Sequence, residues 1–366
     1  MKKPPVVNTH DDPTAVFRSL LSAKQEAANR LKEKLRAKYI VSARDEDVDL
    51  EAAELIDSCT QRKNPLLPFS GTNRPEATGF VIIAESGAGK TRALQHFLEN
   101  SAFFQGYGIK DSDCQLIRIS APSPLTLRTL GMAVVRAMYR TKREYKESEA
   151  WPRAHFLLEE KMILFILIED IQHVLHQENN DDEIQEIIDT LKNLMNNQEW
   201  PVYLIMTATK EIKPFLELDW QLRRRLKYVE FGPIDAVVDY DHLTTAMAEY
   251  GKMAKVTVDI TKNREMLARL CHAANYQMGY AFEIFVDALL VCIGDRRRKL
   301  TKNDFADAYS NRITEPLLLN PFLADDWQSI NTQHIHKRPP EVPEDPETAA
   351  PKKKRKRTRR RKNSDE

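Results

Sequence analysis

The stretch "GFVIIAESGAGKT", residues 79–91, constrains the fold of this chain more than any other segment. An apolar run leads into a loop of small residues that fits the phosphate-binding spacing GxxxxGK[ST], with Ala84 in the first glycine position. The two later glycines let successive backbone N–H groups turn toward phosphate oxygens, and the following helix adds the positive end of its dipole. The sequence therefore predicts a nucleotide site made of Ser86, Gly87, Ala88, Gly89, Lys90, Thr91 and Arg92.

A second apolar run, "MILFILIEDIQHV" at residues 162–174, ends in two acids. In nucleotide-hydrolysing sites of this kind, one carboxylate serves Mg²⁺ and the other orients the attacking water. We expect Glu169 to bind Mg²⁺ together with Thr91, and Asp170 to act as the base. The order is the reverse of the usual Asp-Glu, and the shorter base predicts slow hydrolysis of ATP because misplaced reacting groups lose rate. A buried strand with two acids at its exposed end is the alternative.

Short apolar runs alternate with helical patterns through the middle of the chain, which is typical of a parallel sheet sandwiched by helices. The predicted strands are 80–84, 115–121, 162–168, 202–207 and 228–231, and the predicted helices between them are 90–100, 124–140, 182–197 and 211–225. After Pro233 the strand pattern stops. Helices are predicted near 235–251, 264–274, 279–294 and 301–310.

These patterns divide the chain into four parts. Helical patterns at 14–38 and 45–59 indicate a helical N-terminal extension, and a Pro- and Gly-containing linker follows at 64–79. The predicted domains are the extension at 1–63, a nucleotide-binding α/β domain at 64–234, a helical lid at 235–318 and a flexible tail at 319–366.

Two further segments carry polar residues at predicted strand ends. The strand "PVYLIMTATKE" ends in Thr207 and Thr209, which either contact the γ-phosphate or the attacking water or are ordinary strand-end threonines. The segment "QLRRRL" places Arg223, Arg224 and Arg225 before the last strand. A guanidinium that entered a neighbouring subunit's site would neutralise transition-state charge, and we assign this role to Arg224 or Arg225. A solvated helix end is the alternative.

The charge is distributed unevenly. The run "KKKRKRTRRRK" at 352–362 holds ten basic residues, while the whole chain has a net charge of only +1, so the remainder is mildly acidic. A dense cationic run binds polyanions, and "PKKKRKR" also looks like a nuclear import signal; composition does not choose between these. The longest apolar run has seven residues, too few for a membrane span, and the scattered four cysteines fit a reducing cytoplasm.

Together these segments resemble the AAA+ ATPases, and more narrowly the bacterial transposition ATPases of the TniB/TnsC type. The segment "EDIQHV", from Glu169 to Val174, is similar to that family's "DEIQHL", and "QLRRRL" is similar to its arginine-finger segment. The family's strand ends in a Gly-Thr pair, whereas Met206 and Ala208 leave no glycine here. The lid also lacks an evident sensor arginine and offers Tyr280 and Glu283 instead.

The resemblance implies a DNA-dependent regulator in the bacterial cytoplasm. Such proteins bind ATP and Mg²⁺, form homo-oligomeric rings or filaments on double-stranded DNA, recruit a transposase and often a target-selection protein, and leave after hydrolysis. No membrane contact is expected. Core contacts to DNA are predicted at Lys142, Arg143 and Lys146, although a solvated loop fits them equally. The predicted tail contacts are Lys352, Lys353, Lys354, Arg355, Lys356, Arg357, Arg359, Arg360, Arg361 and Lys362.

Two other functions share parts of this pattern. An initiator or helicase-loader ATPase has the same core, but residues 311–366 are too short to hold the DNA-reading module expected of it. A nucleotide-bound DNA scaffold without hydrolysis is compatible with the reversed acid pair. Phosphate release with and without duplex DNA distinguishes the scaffold from the other two.

Overall fold

The computed structural model describes residues 13–109, 112–139, 141–175, 181–313 and 319–333. Within them, five parallel strands form one sheet in the order β2-β3-β4-β1-β5. This confirms the predicted parallel sheet, and no strand end differs from its predicted position by more than three residues. The bounds are Gly79–Ile83 (β1), Leu116–Ser120 (β2), Phe165–Glu169 (β3), Tyr203–Ala208 (β4) and Leu226–Glu230 (β5).

The strand order determines where the helices lie. The chain steps from β1 to β2 in one direction and then back through β3 and β4 in the other, so right-handed crossovers place the first connecting helix and the later ones on opposite faces. The helices concerned are α4 (Lys90–Asn100) on one face, and α5 (Leu127–Met138), α6 (Glu147–Glu160) and α7 (Asp181–Asn196) on the other. The carboxyl ends of all five strands therefore meet at one edge, where the loop before α4 also lies.

The predicted and observed helices differ in three regions. Helix α6 was not predicted, because Pro152 inside it interrupts an otherwise apolar-periodic segment. The predicted helix 211–225 is broken into α8 (Lys213–Glu217) and α9 (Trp220–Arg223), where Asp219 caps the second piece through its side chain. The predicted helix 14–38 divides into α1 (Ala15–Ser19) and α2 (Ala23–Ala37), with Ser22 capping α2.

A second hydrophobic core lies in the helical region after β5. It consists of α10 (Tyr240–Ala254), α11 (Arg264–Ala273), α12 (Met278–Gly294) and α13 (Lys302–Ser310). Helix α12 is apolar along most of its length, with Phe285 and Leu289 fully buried at its centre. We call α10–α13 the lid helices.

The N-terminal extension is shared between the two cores. Leu35 of α2 is fully buried among the lid helices, whereas Val48, Ala52 and Leu55 of α3 (Ala43–Thr60) belong to the core around the sheet. The segment between α2 and α3, residues 38–42, therefore runs from one core to the other. Residues of this segment lie beside the loop between β1 and α4.

The packed chain extends beyond the predicted lid boundary at 318. Residues 319–333, predicted as part of a flexible tail, lie against α11 and α13, with Phe322 fully buried and Asn320 nearly so. The guanidinium of Arg269 donates to the carbonyl oxygens of Pro321 and Ala324, each at 2.7 Å, and His272 Nε2 lies 2.9 Å from the Ile330 carbonyl oxygen. We call residues 319–333 the C-terminal strap; the prediction of a tail was wrong for this part.

In the part of the chain that the structure describes, no single helix has the length and apolarity to cross a membrane. Helices α11 and α12 meet that criterion only when taken together, across a bend of 113°. Their apolar side chains supply the core of the lid helices.

Candidate nucleotide-binding site

The loop between β1 and α4 has the backbone of a phosphate cradle. Gly87 and Gly89 take φ values of +78° and +99°, which only glycine adopts without strain. Ala84, in the position where a glycine was expected, is not among the residues with positive φ, and its backbone N–H donates to the Ala208 carbonyl oxygen at 3.1 Å. Alanine therefore fits there, and the departure from the usual spacing leaves the loop intact.

Lys90, the first residue of α4, lies inside this loop with 8% of its surface exposed. Its Nζ donates to the carbonyl oxygens of Ala84 (2.7 Å) and Glu85 (3.1 Å). An ammonium group has three N–H donors, so one is left for an anionic ligand. Burial lowers the pKa of Lys90, while the negative charges of Asp170 and Glu85 act in the opposite direction. Thr91 and Ser86 are both exposed beside it. These donors fit a triphosphate.

The two acids face different partners. Glu169 ends β3, is 6% exposed and accepts a hydrogen bond from Arg118 Nε at 2.6 Å. Asp170 follows at φ +58°, a left-handed conformation that costs a non-glycine residue about 1–2 kcal/mol. Its backbone N–H donates to Thr207 Oγ1 at 3.2 Å. Asp170 is also the larger of the two carboxylate influences on the pKa of Lys90. The structure thus brings Asp170 toward the cradle and binds Glu169 to an arginine.

Arg118 is a site residue that the sequence reasoning missed. It stands in β2, where it interrupts the apolar run "LIRIS", and its pKa is raised chiefly by the hydrogen bond to Glu169. Its guanidinium also donates to the Tyr107 hydroxyl at 3.3 Å. A lone arginine in a short, otherwise apolar strand was the available signal. The ion pair involves Glu169 Oε2, and Oε1 is the oxygen left for a metal.

The two threonines of β4 differ in their surroundings. Thr207 is 1% exposed and its hydroxyl accepts the Asp170 N–H, so it holds the acid's backbone. Thr209, just past the strand, has a buried Oγ1 with no hydrogen-bond partner among the described residues. A buried hydroxyl without a partner is costly, and a ligand or a water at this position would satisfy it. Thr209 therefore remains a candidate for contact with the γ-phosphate or the attacking water, and Thr207 takes a supporting position.

The three arginines before β5 do not share one environment. Arg225 is 7% exposed, and its guanidinium donates to the Gln221 carbonyl oxygen and to Glu76 Oε2, each at 2.7 Å. A side chain held inside its own subunit does not reach a neighbour, so the assignment of Arg225 as a residue acting in trans is wrong. Arg223 is exposed, and Arg224 is half exposed, with its guanidinium 5.1 Å from the Trp220 ring centroid. Arg224 therefore remains the candidate.

Arg92 binds backbone carbonyl groups of the N-terminal extension and does not point to the predicted phosphate site. Its guanidinium donates to the carbonyl oxygens of Arg36 (2.9 Å) and Lys38 (2.8 Å). The Tyr250 hydroxyl donates to the same Lys38 oxygen at 2.8 Å. Both interactions fix the segment between α2 and α3 over the start of α4.

That segment forms one wall of a cleft beside the cradle. The cleft is partly open to solvent and lies between the α2–α3 segment, the start of α4 and the lid helices. A ligand base would contact mainly apolar groups there, since most of the wall is aromatic or aliphatic. The lining includes Tyr39, Ile40, Phe231, His242, Met278 and Phe282. No sequence motif pointed to this cleft, because its walls come from three distant segments.

The lid helices contact the cradle at the start of α12. The Tyr280 backbone N–H donates to the Gly87 carbonyl oxygen at 3.3 Å, and the Tyr280 ring covers the face of Gly87 where a side chain would stand. Glu283, the other residue proposed in place of a sensor arginine, pairs with Arg312 at 2.8 Å instead. Tyr280 is thus the lid residue that lies against the predicted phosphate site in this arrangement.

We expect Gly279→Ala to weaken nucleotide binding by about tenfold, or about 1.4 kcal/mol. A Cβ at Gly279 would lie 2.5 Å from the Gly87 carbonyl oxygen, so the lid must move off the cradle. Gly294→Ala, at the other end of α12, is the matched control because its Cβ meets no atom within 4 Å. Titration with a fluorescent ATP analogue measures both variants. Equal affinity of Gly279→Ala and wild type would show that the lid contact does not support binding.

The predicted DNA-contacting residues are only partly described. Lys142, Arg143 and Lys146 are all exposed in the loop before α6. Arg143 lies over the Tyr145 ring, 4.7 Å from its centroid, and approaches Glu149 at 3.9 Å. The basic run 352–362 lies outside the described residues.

The parallel sheet, the phosphate cradle and the lid helices beside it define the P-loop fold of the AAA+ class. Among solved structures, the chain is similar to the Aeropyrum pernix Orc1 protein in complex with DNA, with a TM-score of 0.54 and 16% identity over 76% of this chain and 69% of that one. Drosophila ORC bound to DNA aligns with a TM-score of 0.48 and 12% identity, over 87% and 71% of the two chains. At such identities the Orc1 likeness indicates the fold alone.

Residues 66–234 match the family described as bacterial TniB protein. The matched segment contains the cradle, both acids, both threonines and the arginines before β5. The α/β unit therefore matches the TniB family model, which confirms the predicted resemblance. A search of curated proteins gives no match.

Proposed function

We propose that this chain is an ATP-dependent, DNA-binding regulator of DNA transposition. The observation that carries the proposal is the TniB match over the segment that holds the cradle and the acid pair. In this function the protein assembles on double-stranded DNA in its ATP state, recruits a transposase and a target-selection protein, and is released after hydrolysis. Its place of action is the bacterial cytoplasm.

The chemistry assigned to the site follows from its donors and acceptors. The cradle amides and the remaining Lys90 donor would hold the phosphates, and Thr91 and Glu169 would hold Mg²⁺. The bound ion would neutralise charge on the phosphate oxygens. Asp170 accepts the proton of the attacking water, and Thr209 offers its unpartnered hydroxyl to the same region. Arg118 holds Oε2 of Glu169, so Oε1 is the oxygen that would face the metal.

Assembly would supply what one subunit lacks. Among the described residues, the lid contact to the cradle comes from Tyr280, not from a cation. Arg224 is half exposed and directly follows the short helix before β5, from which a guanidinium can enter a neighbouring copy's site. The Aeropyrum pernix Orc1 protein is described in complex with DNA. We extend DNA binding to this chain through Lys142, Arg143, Lys146 and the basic tail.

Phosphate release measured with and without duplex DNA tests the proposal. We expect slow turnover by the isolated protein, below about 1 s⁻¹, and faster turnover with DNA, because assembly on DNA brings Arg224 beside a second site. A non-hydrolysable ATP analogue should support DNA binding in an anisotropy measurement, whereas ADP should not. Equal DNA affinity with the ATP analogue, ADP and no nucleotide would contradict an ATP-controlled regulator.

A nucleotide-bound scaffold without hydrolysis is the second candidate. The Arg118–Glu169 ion pair favours it, because this pair neutralises the carboxylate assigned to the metal. ATP-dependent DNA binding without phosphate release under any condition would identify the scaffold. The initiator or helicase-loader alternative has only the Orc1-like fold in its favour.

A further inference from the structure

The turn after β3 contains a motif that the assigned chemistry does not use. Residues 171–173, "IQH", begin a 3₁₀ turn, Ile171–Leu175, that follows the acid pair directly. Ile171 is fully buried and anchors the turn in the core. His173 Nδ1 lies 3.0 Å from the Ala121 carbonyl oxygen at the end of β2. The turn is therefore attached to the strand on one side of β3.

Gln172 attaches the turn to the strand on the other side. Its Oε1 accepts the backbone N–H of Thr209, just past β4, at 3.2 Å. Its Nε2 donates to Asp170 Oδ1 at 3.3 Å. One side-chain amide thus spans the carboxylate assigned as the base and the residue whose hydroxyl is buried without a partner among the described residues.

We propose that Gln172 is the positioning residue that orients the Asp170 carboxylate toward the attacking water. This inference rests on the proposed ATP hydrolysis. Because Gln172 Nε2 donates to Asp170 Oδ1, the other carboxylate oxygen of Asp170, Oδ2, is left to accept a proton. A carboxylate on a left-handed residue at a strand end has little local restraint on its side chain, and the amide supplies that restraint.

An amide is the group that this position requires. It donates to a carboxylate and accepts from a backbone N–H at the same time, which neither a carboxylate nor an apolar side chain does. A glutamate at 172 would keep the contact with Thr209 N–H but would repel Asp170. A methionine would keep the length and lose both hydrogen bonds.

The same amide connects Asp170 with the end of β4. Thr209 Oγ1 is buried without a partner in the described part of the chain, and the backbone N–H of this residue is the one that Gln172 holds. A phosphate oxygen or a water bound at that hydroxyl would shift Thr209, and the shift reaches Asp170 through a single side chain. Base orientation therefore depends on occupancy at Thr209.

Steady-state ATP hydrolysis by the full chain in the presence of duplex DNA tests this role. We expect Gln172→Met and Gln172→Glu each to lower kcat by about 10- to 100-fold, because a base displaced by about 1 Å loses that order of rate. The KM for ATP should stay within about twofold, since both hydrogen bonds of Gln172 go to residues outside the cradle. Gln185→Met is the matched control: Gln185 Nε2 donates to Asp189 Oδ1 at 3.2 Å on the exposed side of α7.

The outcomes separate this inference from the proposed function. No hydrolysis by the wild-type chain would overturn the proposed ATPase itself, whatever the variants do. Wild-type hydrolysis with an unchanged kcat in Gln172→Glu would overturn the inference alone, because that variant keeps the Thr209 contact, removes the donor to Asp170 and adds a charge that repels it. A second result would also overturn the inference. If kcat is unchanged and kcat/KM falls only because KM rises, Gln172 has a role in nucleotide binding.

Discussion

Replacing Asp170 with asparagine is expected to slow ATP hydrolysis by about 100- to 10,000-fold, the usual contribution of a general base. Asparagine tolerates the left-handed backbone at φ +58° and still accepts from Gln172 Nε2, so the change removes the base with little strain. Nucleotide affinity should stay within about twofold because Lys90 and the cradle are unchanged. Phosphate release and titration with a fluorescent ATP analogue measure the two quantities.

The same variant should remain on DNA after ATP is added. If hydrolysis releases the protein, the lifetime of the DNA complex must lengthen when hydrolysis is slow. Asp259→Asn is the control, because Asp259 is exposed in the lid region and pairs with Lys262 at 3.3 Å. Wild-type phosphate release by Asp170→Asn would remove the assignment of Asp170 as the base, even if the complex on DNA were long-lived.

Deleting residues 351–362 is expected to remove most of the salt dependence of DNA binding. A protein that binds six to ten phosphates loses about 10³- to 10⁵-fold in affinity between 50 and 200 mM salt, and the deleted segment holds ten basic residues. Each phosphate that the shortened chain no longer binds should lower the slope of log K against log salt by about 0.9. Fluorescence anisotropy with a duplex oligonucleotide over that salt range measures the slope.

A second variant keeps the tail length and tests charge alone. Replacing the ten basic residues of 352–362 with glutamine should have the same effect as the deletion, because phosphate attraction requires the cation and not the chain. An unchanged slope in both variants would assign the run to another partner, such as an import receptor. The ATP affinity of both variants should equal that of the wild type.

The cradle and the sheet could be predicted because their signals are local. Backbone wrapping requires glycine at 87 and 89, and both take positive φ. The strands β1 and β3 begin as continuous apolar runs in the sequence, and the acid pair starts at the last residue of β3. The strand order then brings β1, β3 and β4 together, so neighbouring strand ends form one site.

The partners of these residues could not be predicted because they depend on register and tertiary contacts. Arg118 meets Glu169 across 51 positions of sequence, and nothing in "LIRIS" indicates which acid it meets. Arg225 is nearly buried and Arg224 is half exposed, although both approach Glu76, and nothing in "QLRRRL" distinguishes them. The cleft next to the cradle draws on the α2–α3 segment and the lid helices, which local periodicity does not place side by side.

The C-terminal strap joins the lid helices to the basic run that follows it in the sequence. The strap, which reaches Gln333, is attached to α11 through Arg269 and His272. The lid in turn rests on Gly87 through Tyr280. If the basic run binds DNA as proposed, a force on that run would act first on the lid helices that contact the phosphate cradle.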